Sequence, residues 1–327
     1  MRRNVYSPAL RICSGAPGLF ISFLIWLVLS IMSASGSDHG FSCGGGPLVL
    51  PSTQWGLPYG ALCAFGMFGM ALSAAALWLL NKRYNMLPGA LYSSLLLIMC
   101  GTTPAVTRGF SPAVIMALIT LGCTLTLFGL YGKRNATADC FLLFTCLGWG
   151  SMIQTSCLWL AGVFLIGLAV VQVFRLREVV ASLLGLGAPY WIMLGLGLVT
   201  PDQLHIEAPH MVTALSGNPA DLIWTLVTAG VTALGLLIMM LYNAITTPPA
   251  GVQVRAYNSF INLLGFAAVI FMIFDAERLP AYLMIAFMSL SFMTARCTSQ
   301  SRSPRAWILP VCVAATYLLI YFLMQYT

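Results

Sequence analysis

The sequence predicts an all-α protein, a polytopic bundle of transmembrane helices, from its composition and from its long apolar segments. Of its 327 residues, 60% are hydrophobic and only 7% are charged, and the mean hydropathy is +0.92. Soluble domains carry about 25% charged residues, so this chain has too few polar side chains to cover a surface in water. A lipid bilayer is the solvent that suits it, and there only helices and closed barrels satisfy the backbone.

The length of the apolar runs distinguishes between these two architectures. Barrel strands alternate apolar and polar residues over about ten positions, whereas the runs here extend over roughly 15–23 residues, as spanning helices require. We therefore expect about eleven spans, at 16–34, 57–80, 86–105, 112–131, 140–153, 157–174, 179–199, 222–242, 258–274, 280–295 and 306–325. Together they form a single integral membrane domain over 1–327, with outer loops 35–56 and 200–221 and an inner loop 243–257.

The first run has some features of a cleavable signal peptide. Met1-Arg2-Arg3 precedes it and small residues follow at 33–36. The stretch of about fifteen residues before the run is long for such a peptide, so we expect the run to be retained as the first span.

Several later apolar runs contain, or end at, residues that affect helix geometry. Proline residues stand near the run ends or within them, where they start or kink helices. The fifth, ninth and tenth runs are short for a hydrocarbon core of about 30 Å. Only 154–156 separates the fifth run from the sixth, so 140–174 is either two full spans or a broken, re-entrant pair. The glycines of 185–187 and 195–197 lie inside one run, which favours close helix packing.

The distribution of Lys and Arg predicts the orientation, because cytoplasmic loops carry an excess of both. With a cytoplasmic N-terminus, the outer side receives only Arg108 and Arg278 of the 15 basic residues. The inner side receives Arg2, Arg3, Arg11, Lys82, Arg83, Lys133, Arg134, Arg175, Arg177, Arg255, Arg296, Arg302 and Arg305. We therefore predict a cytoplasmic N-terminus and a periplasmic C-terminus. The basic excess then reflects topology, and no nucleic acid is expected as a partner.

All three histidines fall in the two longest outer loops. His39 follows Asp38 in the first loop, and the second contains PDQLHIEAPH at 201–210. Histidine and carboxylate side chains move protons near neutral pH or hold divalent metals, and sites often lie on loops over a rigid scaffold. Asp38, His39, His205 and Glu207 are therefore candidate catalytic residues of a composite outer site.

A solvated polar loop is the alternative interpretation of these residues, and the spacing favours it. His205-x-Glu207-x-x-His210 differs from the i, i+4 histidine pair of zincins, and Pro209 interrupts any helix through the segment. The sequence assigns no metal and no cofactor, and it leaves open whether the protein is an enzyme.

Two membrane-boundary segments carry a family resemblance. At 81–88 (NKRYNMLP) and at 175–190 (RLREVVASLLGLGAPY), the chain resembles a family of polytopic inner-membrane proteins of Bacteroidota that has no assigned activity. The likeness covers about residues 60–200. It implies a bacterial inner membrane, with the periplasm as the outer side, and it transfers no functional residue.

A second resemblance is architectural. Membrane glycosyltransferases that use polyprenyl-phosphate sugars are similar in their number of helices and have an acidic motif in the first outer loop. Asp38 stands at the matching position, whereas His39 departs from the second acidic residue common in that family. The resemblance implies a carboxylate that acts as a general base or holds a metal.

Three functions remain open from the sequence. The first is a role in cell-envelope or lipid-linked glycan biogenesis, with a polyprenyl-linked or other lipid as partner besides the bilayer. The second is a non-catalytic membrane scaffold or assembly factor with protein partners that the sequence does not identify. The third is a carrier or flippase for an amphiphile, which needs a polar cavity between helices. No charged residue lies deep in a predicted span, which disfavours an ion-coupled carrier.

Overall fold

The computed structural model of the chain describes residues 15–35, 47–48, 56–199, 219–245, 251–275, 278–301 and 306–326. Within these ranges the chain forms helices and no strand, as the predicted fold class requires. The helices are α1 (Ala16–Ser35), α2 (Tyr59–Tyr84), α3 (Leu91–Gly101), α4 (Pro104–Thr107), α5 (Pro112–Gly129), α6 (Thr137–Ile153), α7 (Cys157–Val170), α8 (Leu176–Gly195), α9 (Pro219–Ile245), α10 (Val252–Phe274), α11 (Leu279–Gln300) and α12 (Ile308–Tyr326).

Helix length divides these elements into two groups. Within the described ranges, eight helices are long and apolar enough to cross a membrane, namely α1, α2, α5, α8, α9, α10, α11 and α12. The apolar helices α3, α6 and α7 have 11, 17 and 14 residues. At 1.5 Å per residue α3 is roughly 16 Å long, about half the thickness of a hydrocarbon core. The chain is therefore a multi-pass membrane protein in which eight of the predicted spans coincide with helices of crossing length.

The predicted span 86–105 is broken in the structure. Helix α3 ends at Gly101, and the hydroxyls of the following residues, Thr102 and Thr103, both donate to the carbonyl oxygen of Met99, at 3.0 and 2.9 Å. Pro104 then starts α4, since a proline has no N–H to continue the helix before it. The region 140–174 forms two separate helices, α6 and α7, joined by a short turn.

The predicted span 280–295 is too short, because α11 continues through its polar residues to Gln300. Thr294 and Thr298 donate their hydroxyls to carbonyl oxygens one turn earlier, at 2.7 Å each, so they do not interrupt the helix. Arg296 lies inside this helix and is buried. The inner loop predicted at 243–257 is likewise partly helical, because α9 and α10 extend into it.

Helix α11 is the centre of the bundle. All of its residues from Leu279 to Thr298 are buried, and it packs against α3, α5, α9, α10 and α12. Protein neighbours surround this helix instead of lipid, which explains how it carries more hydroxyl side chains than the outer helices. The centre of the bundle is thus filled by a helix.

Contacts between helix ends and turns gather many basic residues at one end of the bundle. Arg175 Nη1 donates to the carbonyl oxygen of Arg134 at 2.9 Å, which joins two turns. The Tyr84 ring lies 5.3 Å from the Tyr257 ring, and the Tyr257 hydroxyl donates to the Phe128 carbonyl oxygen at 2.8 Å. We call this the basic end, and it contains Lys82, Arg83, Lys133, Arg134, Arg175, Arg177 and Arg255.

The opposite end is held by hydroxyl contacts between other helix ends. Thr107 in α4 donates to Ser33 Oγ in α1 at 3.1 Å. Ser151 and Tyr190 share a hydrogen bond of 2.7 Å between α6 and α8. Helices α6 and α8 therefore run in the same direction, from the basic end to the opposite end.

Helices α6 and α8 pack through glycine. A Cβ atom at Gly185 would collide with the carbonyl oxygen of Phe141, and one at Gly148 would lie 2.7 Å from the Leu186 carbonyl oxygen. The predicted packing role is confirmed for Gly185. It is wrong for Gly187, Gly195 and Gly197, where a Cβ would meet no described atom within 4 Å.

Candidate functional site

The four candidate catalytic residues from the sequence, Asp38, His39, His205 and Glu207, lie outside the described residues. Their catalytic assignment stays a prediction. In the part of the chain that the structure describes, no group of three or more His, Cys, Asp or Glu side chains is placed to hold a metal ion. Among the described residues, helices instead form a groove in the side of the bundle.

This lateral groove lies between the halves of α1, α2 and α3 that are nearest the basic end. Its volume is about 630 Å³, which is within the range of about 300–1,000 Å³ for ligand pockets. Most of its surface is apolar, with aromatic rings from Phe23, Trp78 and Tyr92. It is lined by Gly15, Ala16, Leu19, Phe23, Ala71, Ala74, Ala75, Trp78, Asn81, Lys82, Gly89, Ala90, Tyr92, Ser93 and Leu97.

The packing of the three helices explains why a groove forms here. Helix α1 packs closely on α3, where Gly101 brings the two backbones together: a Cβ at Gly101 would lie 3.2 Å from Trp26 Cα. Helices α1 and α2 make few contacts with each other. Ala71, Ala74 and Ala75 lie on the side of α2 that faces the gap, and their small side chains leave it open.

A rigid turn closes the end of the groove. Asn85 ends α2 in the left-handed conformation, with φ 46°. The Asn81 amide then holds the turn to α3: Nδ2 donates to the Leu87 carbonyl oxygen and Oδ1 accepts from the Leu87 N–H, both at 2.8 Å. These bonds satisfy two buried backbone groups. The turn therefore fixes where Gly89 and Ala90 reach the groove.

Lys82 is the charged residue of the described groove lining. Its side chain is exposed, and the ammonium nitrogen lies 4.9 Å from the centre of the Trp78 ring. This distance is within the range of a cation–π interaction, about 6 Å. The groove thus has an aromatic and aliphatic wall and a cation at the basic end.

A second groove of about 410 Å³ lies between α9, α11 and α12. Tyr242, Cys297 and Cys312 are among its lining residues, and its described lining includes no charged side chain. Its lining also includes Ser301 and Ala306, and the structure does not describe the residues between them in the sequence. This groove gives less information about a ligand than the first.

A buried polar cluster at the opposite end has a structural explanation. The Tyr282 hydroxyl donates to Asp275 Oδ2 at 2.9 Å, and Arg278 Nη1 lies 3.9 Å from the same oxygen. Asp275 and Tyr282 are both buried. The carboxylate thus has a hydrogen-bond donor and a cation from α11 and its N-cap, as a buried charge requires. The cluster holds the junction of α10 and α11 together.

The chain matches no protein-family model, no curated protein and no solved structure. The resemblance to Bacteroidota membrane proteins and the likeness to glycosyltransferases therefore stay predictions. The lateral groove is the described feature best suited to a ligand.

Sequence reasoning missed this groove, although α2 carries a signal for it. Residues 71, 74, 75, 78 and 82 follow the helical spacing of one face, with three alanines leading to Trp78 and Lys82. Small residues beside a tryptophan and a lysine at a helix end also fit a tight helix interface. Only the separation of α1 from α2 shows that this face lines a groove.

Proposed function

We propose that this chain is a multi-pass protein of a bacterial inner membrane that binds an amphiphilic lipid in the lateral groove and acts in cell-envelope biogenesis. The observation that carries the proposal is the groove itself, about 630 Å³, mostly apolar, with Lys82 at its basic end. An apolar wall with a charged group at one end is complementary to a molecule with a hydrocarbon tail and a polar head.

The place of the groove supports a lipid over a water-soluble ligand. Its lining residues come from three apolar helices, two of which, α1 and α2, are long enough to cross a bilayer. Phe23 and Trp78 are exposed on this face. A lipid chain reaches the groove sideways from the bilayer, without passing through water.

The same observations separate this proposal from the other functions. A carrier with a central pathway needs a polar cavity between helices, and here α11 fills the centre of the bundle. A scaffold needs no lateral groove. Binding of an amphiphile fits the envelope role that the sequence suggested, with a polyprenyl-linked lipid as one candidate ligand.

The proposed topology has eleven crossings, with the N-terminus in the cytoplasm. The start of α1 lines the same groove as Lys82 at the basic end, and Arg108, after α4, interacts electrostatically with Tyr321 near the end of α12. The start of α1 and the end of α12 therefore lie at opposite ends of the bundle, and this arrangement requires an odd number of crossings. A label at position 205 is expected to react with a membrane-impermeant reagent in intact spheroplasts, and protection of that label would contradict the topology.

Filling the groove tests the proposed function. Ala75 is an exposed lining residue, so Ala75→Leu adds bulk to the groove without entering the core. We expect this variant to retain less co-purified lipid than the wild type when the protein is extracted in mild detergent and measured by native mass spectrometry. Ala64→Leu is the matched control, because Ala64 is exposed on the same helix outside the groove.

Equal lipid retention by both variants would overturn the proposal. Loss of lipid from Ala64→Leu alone would do the same, since bound lipid would then depend on a different face of α2. Thermal unfolding of both variants shows whether either change damages the fold.

A further inference from the structure

We propose that the lateral groove selects an amphiphile whose headgroup is an anionic phosphate without a compensating cation, held between Lys82 and the N-terminus of α3. This inference rests on the proposed function and adds the chemical class of the headgroup. Some polar atoms of the groove already have protein partners, and others are placed to bind a ligand. The inference follows from this difference.

Most polar side chains of the groove are engaged within the protein. Both polar atoms of the Asn81 amide bond to Leu87. The Ser93 hydroxyl donates to the Ala74 carbonyl oxygen at 3.3 Å, and the Tyr92 hydroxyl interacts with Asn81 and Ser93. Because these groups already have partners, they are poorly placed to bind the hydroxyls of a sugar. Sugar recognition needs several convergent donors and acceptors.

Two features of positive potential remain at the basic end of the groove. Lys82 lines the groove, and its ammonium group contacts no carboxylate among the described residues. Helix α3 starts at the same groove, with Ala90 as the N-cap and no side-chain cap on its first amides, although the Ser93 N–H donates to the Ala90 carbonyl oxygen. Gly89 and Ala90 both line the groove, so this helix N-terminus is next to the ligand space.

A phosphate is the headgroup that suits both features. The first N–H groups of a helix have no partner within the helix and carry a partial positive charge, and they commonly bind phosphate. An ammonium group adds a full charge on the same side. A zwitterionic headgroup with an outer ammonium group would place like charge near Lys82, which disfavours it.

The test compares two lipids with identical acyl chains, phosphatidylglycerol and phosphatidylcholine, added to delipidated full-length protein in detergent. Native mass spectrometry measures the affinity of each. We expect the wild type to prefer phosphatidylglycerol, and Lys82→Gln to weaken its binding about tenfold. Arg83→Gln is the matched control, since it removes the same charge from the adjacent residue, which does not line the groove.

A second variant tests the helix N-terminus. Aspartate at an N-cap normally supports a helix, but in Ala90→Asp its carboxylate would occupy the first amides of α3 and repel a phosphate. We expect Ala90→Asp to bind phosphatidylglycerol more weakly than Ala90→Asn, a neutral side chain of the same size, while both variants have a lower Tm because Ala90 is buried. Inorganic phosphate alone is expected to compete poorly, because the tail supplies most of the contact; complete displacement by millimolar phosphate would contradict a lipid ligand.

The two proposals fail in different ways. If Ala75→Leu lowers lipid binding while Lys82→Gln and Arg83→Gln bind alike, the groove binds lipid without selecting an anionic headgroup. If Ala75→Leu has no effect, the proposed function fails first. Equal affinity of the wild type for the two lipids overturns the headgroup assignment directly.

Discussion

The Asn81 side chain and the Leu87 backbone form a closed pair of hydrogen bonds, both 2.8 Å long, across the turn between α2 and α3. All of these atoms belong to buried residues. This pair determines the shape of the turn and, through Gly89 and Ala90, the end of the lateral groove. The contact links the stability of a short turn to the proposed binding site.

Replacing Asn81 with Ala is expected to destabilise the protein by about 2 kcal/mol, because it leaves the N–H and the carbonyl of Leu87 buried without partners. Chemical unfolding in detergent micelles measures the change. Asn81→Asp retains an acceptor for the Leu87 N–H, and its carboxyl, when protonated, also donates to the Leu87 carbonyl oxygen. At a pH where the carboxyl is protonated we therefore expect a smaller loss than for Ala. An Ala variant as stable as the wild type would show that the turn does not depend on this side chain.

The crossing of α6 and α8 gives a second prediction. Gly185→Ala is expected to cost about 1–3 kcal/mol, because the new Cβ meets the backbone of Phe141, which cannot rotate away. Gly187→Ala is the control in the same helix: a Cβ there meets no atom within 4 Å, so the change is expected to be neutral or to stabilise by up to about 1 kcal/mol. Similar unfolding free energies for the two variants would contradict the packing described for α6 and α8.

The helical architecture was predictable because apolar runs report directly on lipid-facing helices. The boundaries were less predictable where a helix is surrounded by protein: α11 continues past Thr294 and Arg296 because neighbouring helices cover them. The break before Pro104 was visible as a proline, but the hydroxyl bonds of Thr102 and Thr103 to Met99 depend on local geometry.

The candidate site was not predictable from one sequence for a different reason. Sequence reasoning directed attention to histidine and acidic residues, since these side chains carry most proton and metal chemistry. Alanines and aromatic residues make up most of the groove lining, and ordinary helix interfaces have a similar composition. Its existence depends on the weak contact between α1 and α2, a tertiary property.

A small cavity between α2, α5, α10 and α11 gives a third prediction. Its volume is about 20 Å³, and Thr120 Oγ1 and Ser289 Oγ, both buried, have no hydrogen-bond partner among the described residues. A space of about 10–15 Å³ accommodates one water molecule. We expect an ordered water that bridges the two hydroxyls in a high-resolution experimental structure.

Mutagenesis tests the same water through the free energy of unfolding. Thr120→Val and Ser289→Ala are each expected to cost about 1 kcal/mol, and the double variant less than the sum, since both hydroxyls share one water. Thr316→Val serves as a control on an exposed helix face. Additive costs, together with a cavity that has no solvent density, would refute the bridge.

The segments predicted as outer loops give a fourth prediction. Because the spacing around His205 and Glu207 favours a solvated loop, we expect single alanine substitutions of Asp38, His39, His205 and Glu207 to leave envelope glycan unchanged. Glycan content of cells that express each variant at equal level is the measurement. A loss in any one variant with lipid binding intact would instead assign chemistry to these loops.

A structure of the protein determined in lipid nanodiscs is the decisive test of lipid binding in the groove. We expect elongated density between α1, α2 and α3, along Phe23 and Trp78, with its polar end beside Lys82 and the start of α3. A groove closed by α1 packed against Ala71 and Ala75, with lipid density only at other faces of the bundle, would contradict it.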